Sequence, residues 1–234
     1  MQIEVLADAE AVAQQAAAII AESARAAVQA RGRFLMAVSG GRTPWVMLRK
    51  LANEVVPWDD VHVFQVDERI APAGDPDRNL THLRETLLQN APIDPSHIYA
   101  MPVDSPDPQA GAAEYARTME ELAGSPPVID LVHLGLGPDG HTASLIPGDP
   151  VLQVMDRDVA ITGVYQGRNR MTLTYPVINR ARQILWVVTG SEKAKPLSQL
   201  LKADPSIPGG RVSQEHALVV ADRDAAGQLQ QSSR

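Results

Sequence analysis

Apolar residues at Ala9, Val12, Ala13, Ala16, Ile19, Ile20, Ala24 and Ala27 recur at intervals of three and four. That period predicts a long Ala-rich helix after a short strand at residues 3–6, with Asp8 as its N-cap. A compact apolar run at 33–38 reads as a buried strand, and Pro44 suits the first turn of a helix continuing over 45–53. Further strands are predicted at 61–66, 97–101, 128–134, 159–165, 171–174, 184–189 and 217–220. Helices are predicted at 79–89, 108–123 and 191–201.

Strands alternating with helices imply an α/β fold, a mostly parallel sheet with helices on both faces. The stretch 203–211 reads as a loop, and no repeat or break in composition divides the chain, so residues 1–234 are expected to form one domain.

With 44% hydrophobic residues the chain can bury a sizeable core. Its net charge of −7 argues against a nucleic-acid or anionic-membrane surface, although a small basic pocket remains compatible with it. The absence of cysteine excludes disulfides, Cys₄ zinc sites, iron–sulfur clusters and a thiol nucleophile. No apolar run reaches the roughly 18–20 residues of a membrane span. The start, MQIEVLADAE, lacks the pattern of a secretory signal. The expectation is a soluble cytoplasmic protein.

In open α/β sheets ligands gather beyond the carboxyl ends of parallel strands. Four polar segments follow predicted strands: 39–44, 67–69, 135–144 and 190–193. In the first, Ser39, Gly40, Gly41, Arg42 and Thr43 put glycine where backbone must approach a ligand and then open a helix. Free N–H groups and hydroxyls there suit a phosphate, while a tight turn with no ligand would use the same residues.

Residues 135–140 match GxGxxG formally. A dinucleotide site needs a crossover helix and a later acidic residue at a strand end, whereas Pro147 and Gly148 stop any helix, and Asp156 and Asp158 precede the next strand. More informative is His141 beside Asp139. An imidazole can take a proton from water near neutral pH and a carboxylate can steer it; a capping Asp and a structurally bonded His is the alternative.

Asp67 and Glu68 form either a solvated pair or a hydroxyl-binding pair. Arg168, Arg170 and Lys193 are candidate anion partners, with Arg offering a bidentate fork. His133 is expected to serve packing or a local hydrogen bond. His62, His82, His97 and His216 lack metal-ligand spacing, so no metal is expected.

Ser-Gly-Gly-Arg-Thr-Pro (39–44), Val-Asp-Glu-Arg (66–69), Gly-Leu-Gly-Pro-Asp-Gly-His-Thr-Ala-Ser-Leu-Ile-Pro-Gly (135–148) and Gly-Ser-Glu-Lys-Ala (190–194) together resemble the 6-phosphogluconolactonases, in the same order and over nearly the whole chain. Arg78 before Asn79 departs from the Ser-Asn pair expected there. The resemblance implies a Rossmann-like fold shared with glucosamine-6-phosphate deaminases and ribose-5-phosphate isomerases. It also implies hydrolysis of 6-phospho-D-glucono-1,5-lactone, a small sugar-phosphate partner and no cofactor.

By motif, His141 would be the base and Asp139 its neighbour. Gly40–Thr43, Arg170 and Lys193 would hold phosphate, with Arg69 and Arg168 as further substrate contacts. Backbone N–H groups near Gly137–His141 are expected to face the oxyanion. An amino-sugar-phosphate isomerase or deaminase and a non-catalytic sugar-phosphate sensor are the competing readings. The deaminases' Asn and Glu after the histidine are missing here, as is any helix-turn-helix signal.

Overall fold

The computed structural model describes residues 1–229. Its strands are β1 (Gln2–Leu6), β2 (Phe34–Val38), β3 (Val61–Gln65), β4 (Asp67–Arg69), β5 (Ile98–Tyr99), β6 (Leu131–Leu134), β7 (Val159–Ile161), β8 (Arg170–Leu173), β9 (Ile184–Val188) and β10 (Ala217–Asp222). The helices are α1 (Ala9–Arg31), α2 (Arg42–Leu51), α3 (Asn79–Leu83), α4 (Pro108–Ala123), α5 (Tyr175–Arg180) and α6 (Ala194–Leu201).

Seven strands form one parallel sheet in the order β1-β10-β9-β6-β2-β3-β5. The chain leaves β2 toward β3 on one side and β6 toward β9 on the other. A crevice therefore opens between the carboxyl ends of the adjacent β2 and β6, where open α/β sheets bind ligands.

Every residue of β2 is buried, and successive side chains enter opposite layers. Phe34, Met36 and Val38 join the core under α1, α2 and α3, whereas Leu35 and Ala37 join the one under α4, α5 and α6. A strand covered on both faces reads as a continuous apolar run for this reason. Asp8 accepts from Ala11 N at 2.9 Å to start α1, and Gly32 ends it in the left-handed region at φ 75°. The apolar stripe of α1 extends to Ala17 and Ala21, both fully buried, while Ala9 is exposed.

Three expectations change. The strand foreseen at 159–165 is shorter and that at 171–174 shifts by one residue; both lie outside the main sheet, forming with residues 67–69 an antiparallel sheet ordered β4-β8-β7. The short link between β7 and β8 imposes this, because parallel pairing needs a crossover of a dozen residues or more. The helix expected over 79–89 starts as α3 and finishes in a wider π turn, Arg84–Leu88. Helix α5, hidden between two strand signals, begins with Pro176 in its first turn.

His133 on β6 is completely buried. Its Nδ1 accepts from Ser39 N at 3.2 Å, so the ring is neutral with its proton on Nε2, and that N–H has no partner among the described residues. Burial lowers its pKa from 6.5 to about 3. Between those values the unfolded chain holds a proton that the native one lacks, so stability falls as pH drops through that window. From pH 6.5 to 5 the expected loss from this group approaches about 2 kcal/mol. Urea midpoints at pH 7 and pH 5 should therefore separate less in His133→Gln than in the wild type; equal separations would refute the assignment.

Candidate active site

The crevice is a cleft of about 650 Å³. Three loops from strand ends reach it: 39–43 after β2, 135–143 after β6 and 189–193 after β9. Asp67, Arg69 and Arg170 enter from the antiparallel sheet and Asn79 from the start of α3. Among the sequence-predicted residues, Ser39, Gly40, Gly41, Arg42, Thr43, Asp67, Arg69, His141, Arg170 and Lys193 all line this one cleft. Asp139 stands directly behind His141.

The glycine turn is shaped for close approach. A side chain at Gly40 would overlap the amide of Asn79, and Gly41 takes φ 127°, a conformation open to glycine. The N–H groups of Gly40, Gly41, Arg42 and Thr43 have no acceptor among the described residues, as expected ahead of and within the first turn of α2. Thr43 Oγ1 shares a 2.6 Å hydrogen bond with Thr189 Oγ1; one of the two hydroxyls donates, leaving the other's proton for a ligand. Ser39 is different. Its hydroxyl donates to the His133 carbonyl at 2.9 Å, so it ties the turn to β6 and has no proton left for an anion.

The second turn holds His141 on Asp139. Oδ1 of Asp139 receives Nδ1 of His141 at 2.5 Å and the His141 backbone N–H at 3.1 Å. With Nδ1 donating, the lone pair of Nε2 is the one left to take a proton. Gly137 is required here, because a Cβ at that position would overlap the His141 ring. Partial burial works to raise the Asp139 pKa, but the His141 charge and both hydrogen bonds outweigh it and hold the carboxyl below its usual range. Three of the expected oxyanion donors are not free, whereas the Asp139 N–H donates to no other residue among the described ones. Gly137 N donates to His141 O, Gly140 N to Gly137 O and His141 N to Asp139, so closing this tight turn consumes these three.

The Asp67-Glu68-Arg69 segment divides its labour. Asp67 lines the cleft, accepting from Ser144 Oγ at 2.6 Å and Asn79 Nδ2 at 3.2 Å. Glu68 is fully buried and accepts from the backbone N–H groups of Arg69, Asn79 and Leu80 and from Gln65 Nε2. It thereby caps α3 and is neither solvated nor a ligand. Arg78, the departure from the family pattern, is 3% exposed and donates to both oxygens of Asp104 and to Ala71 O. It pins the loop from inside.

Arg168 departs from its expected role. It donates to Asp75 at 3.0 Å and Asp77 at 3.2 Å, outside the cleft lining. Strand alternation alone would put residues 168 and 170 on one face, but Arg168 closes the turn with Tyr165 ahead of β8, and only Arg170 enters the ladder, opposite Arg69.

The cleft lining sets four cations, Arg42, Arg69, Arg170 and Lys193, against four carboxylates, Glu10, Asp67, Glu192 and Asp222. Its carboxylates have partners: Glu10 meets Lys50, Asp222 accepts from Gly190 N and Ala225 N, and Asp67 is bonded as above. Among the described residues Arg42 has no partner, the Arg170 side chain hydrogen-bonds only Gln166 Oε1, and Lys193 has Glu192 at 3.9 Å. Burial lowers the pKa of Arg170, and Arg69 adds to this. Burial likewise lowers Lys193, with Arg42 assisting, while Glu192 and Asp139 pull it upward. An anion set among these groups would offset that cost.

Sequence reasoning missed Asn79, which shapes the Gly40 turn and bonds Arg69, and Asp222, which orients Gly190. The signal for Asp222 was a carboxylate closing the last parallel strand. Tyr165 was missed as well; an aromatic residue ahead of Gln166-Gly167 was its trace.

The family pattern described as "Glucosamine-6-phosphate isomerases/6-phosphogluconolactonase" matches residues 7–221. A protein of Synechocystis named 6-phosphogluconolactonase is 36% identical over 210 residues, covering 87% of each chain. The crystal structure of 6-phosphogluconolactonase from Thermotoga maritima superimposes with a TM-score of 0.84 at 26% identity, covering 94% of this chain and 98% of the other. A monomeric glucosamine-6-phosphate deaminase shares the fold with a TM-score of 0.84 at 19% identity, over 97% of this chain and 99% of its own. The sequence match and the shared architecture lead to one conclusion: the chain belongs to the glucosamine-6-phosphate isomerase/6-phosphogluconolactonase family.

Proposed function

We propose that this protein hydrolyses 6-phospho-D-glucono-1,5-lactone to 6-phospho-D-gluconate, the second step of the oxidative pentose phosphate pathway. The observation that carries this reading is the His141–Asp139 pair, 2.5 Å apart, on the cleft that also holds the open glycine turn, Arg170 and Lys193. A lactone is an activated ester, so one base suffices to drive water onto its carbonyl. His141 Nε2 takes a proton from water as the oxygen adds to C1. The tetrahedral oxyanion then collapses, the bond from C1 to the ring oxygen breaks, and the imidazolium returns its proton to that oxygen.

Gly40, Gly41, Arg42 and Thr43 with Arg170 and Lys193 would grip the phosphate, and Arg69 and Asp67 would face the sugar. Binding at the remote phosphate fixes the carbonyl over the base and makes attack nearly unimolecular. With the N–H groups of Gly137, Gly140 and His141 committed, the cleft's cations are the charged groups left to face the developing charge. The described residues hold no cluster of three metal-ligating side chains and no helix long and apolar enough to cross a membrane. A phosphorylated substrate is membrane-impermeant, which supports a cytoplasmic site of action.

The test is acid release from freshly generated lactone, corrected for spontaneous opening, with glucosamine 6-phosphate assayed in parallel. Lactone hydrolysis without ammonia release is expected. Ammonia release without lactonase activity would identify a deaminase, and tight binding with no turnover of either would identify a sensor.

A further inference from the structure

The link between β7 and β8 carries a side chain that touches both halves of the cleft. Tyr165 and Arg168 pair across a two-residue turn, Tyr165 N donating to Arg168 O at 2.9 Å and Arg168 N to Tyr165 O at 3.3 Å. Gln166 and Gly167 both take positive φ, 52° and 80°, as the tightest hairpin turns require. The preceding Val164 is 72% exposed, so the tip stands in solvent while Tyr165 reaches inward.

The Tyr165 ring lies under the Arg170 guanidinium, with Cζ 5.0 Å from the ring centroid. It also meets the His141 ring at 5.8 Å between centroids and 66° between planes, an edge contact. Arg170 donates Nη2 to Gln166 Oε1 at 3.1 Å, so two neighbouring residues of one turn hold its head group.

Arg170 needs such support. It is 5% exposed and sits directly opposite Arg69 in the β4–β8 ladder. Two like charges facing across strands repel, and in the empty cleft they would swing Arg170 away. A ring face beneath the guanidinium opposes that repulsion. Desolvation, then the Asp139 charge and a hydrogen bond of the hydroxyl with Asp139, raise the phenol's pKa against the pull of Arg170, so the ring stays neutral beside that carboxylate.

We propose that Tyr165 is a positioning residue that sets the distance between the two working ends of the cleft, its ring carrying the phosphate-binding Arg170 and packing against the edge of the general base His141. The inference deepens the lactonase reading and rests on it. Both contacts need the ring and not the hydroxyl. Removing the ring frees Arg170 to move off the phosphate and His141 to move off the attacking water.

The experiment compares wild type, Tyr165→Phe, Tyr165→Leu and Tyr165→Ala on phosphorylated and unphosphorylated 1,5-gluconolactone, with the Arg170→Ala single and double variants. Tyr165→Phe should keep KM and kcat within about threefold on both substrates, since the ring remains. Tyr165→Leu, which keeps bulk without a π face, and Tyr165→Ala should raise KM for the phosphorylated lactone about 3- to 30-fold, the span of a cation–π contact. The unphosphorylated lactone should show no such KM rise. In an Arg170→Ala background the KM effect should vanish, because the partner it acts through is gone.

Because His141 serves either substrate, kcat of Tyr165→Ala should fall on both lactones; additive KM effects in the double variant, equal KM rises on both lactones, an unchanged kcat in Tyr165→Ala, or Tyr165→Phe as damaged as Tyr165→Ala would each overturn the assignment. A wild type without lactonase activity overturns the proposed function instead, so the two failures are distinguishable. Thermal midpoints identify any variant that is merely unfolded, and Tyr165→Phe and Tyr165→Leu retain the bulk at this turn.

Discussion

Replacing His141 with alanine should lower kcat on the phosphorylated lactone at least about 100-fold and leave KM within a few-fold, the pattern of a group acting only in the transition state. The expectation follows from the geometry of one turn. Nδ1 is committed to Asp139 at 2.5 Å, so Nε2 is the only strong base the 137–141 turn presents to the cleft. Asp139→Asn should fall between the two. An amide can still accept from Nδ1, but it carries no charge to stabilise the imidazolium, and its NH₂ can favour the wrong tautomer. The measurement is stopped-flow acid release with the spontaneous rate subtracted. A folded His141→Ala enzyme turning over at the wild-type rate would remove the histidine from the chemistry.

Arg170→Ala and Lys193→Ala should each weaken the phosphorylated lactone about 10- to 100-fold while changing KM for unphosphorylated gluconolactone by less than about threefold, given about 1.5–3 kcal/mol for a charged hydrogen bond. The selectivity is the point. Loss on both substrates alike would mean that these cations hold the sugar or the fold and not the phosphate. Arg168→Ala is the built-in comparison: its guanidinium faces Asp75 and Asp77, so the ratio between the two substrates should stay at the wild-type value. A shift in that ratio would return Arg168 to the binding site.

The strands of the parallel sheet were legible because burial on both faces leaves an apolar run that no amphipathic pattern imitates. Phe34–Val38 and Ile184–Val188 are the clearest cases, each buried at every position. The polar loops could be placed at one edge without coordinates, since parallel strands bring all their carboxyl ends to the same side. The His141–Asp139 pair was legible from spacing alone, being two residues apart in a tight glycine turn.

The antiparallel sheet was not legible in this way. Residues 67–69 carry the polarity of a loop, and their pairing with β8 spans about a hundred positions, which no local period records. Glu68 shows the same limit: adjacent to Asp67 and chemically alike, it was assigned the same choice of roles. The packing of α3 puts one carboxylate under a helix start and leaves the other on the cleft wall. Residue chemistry alone did not separate Arg168 from Arg170, which only the resemblance assigned to phosphate; in the fold one bridges aspartates and the other is buried beside the cleft.

Local rules in this chain, hydrophobic period, glycine at turns and a carboxylate beside an imidazole, were enough for a parallel sheet with helices on both faces, the edge where the polar loops gather and the pairing of His141 with Asp139. Which cations share the cleft with His141, whether Ser39 keeps a free proton and where Tyr165 sits depended on strand pairing and helix docking between distant segments. A hydrogen bond or cation–π contact is settled within a few ångströms in space, and neighbours in space such as Arg69 and Arg170 lie far apart along the backbone.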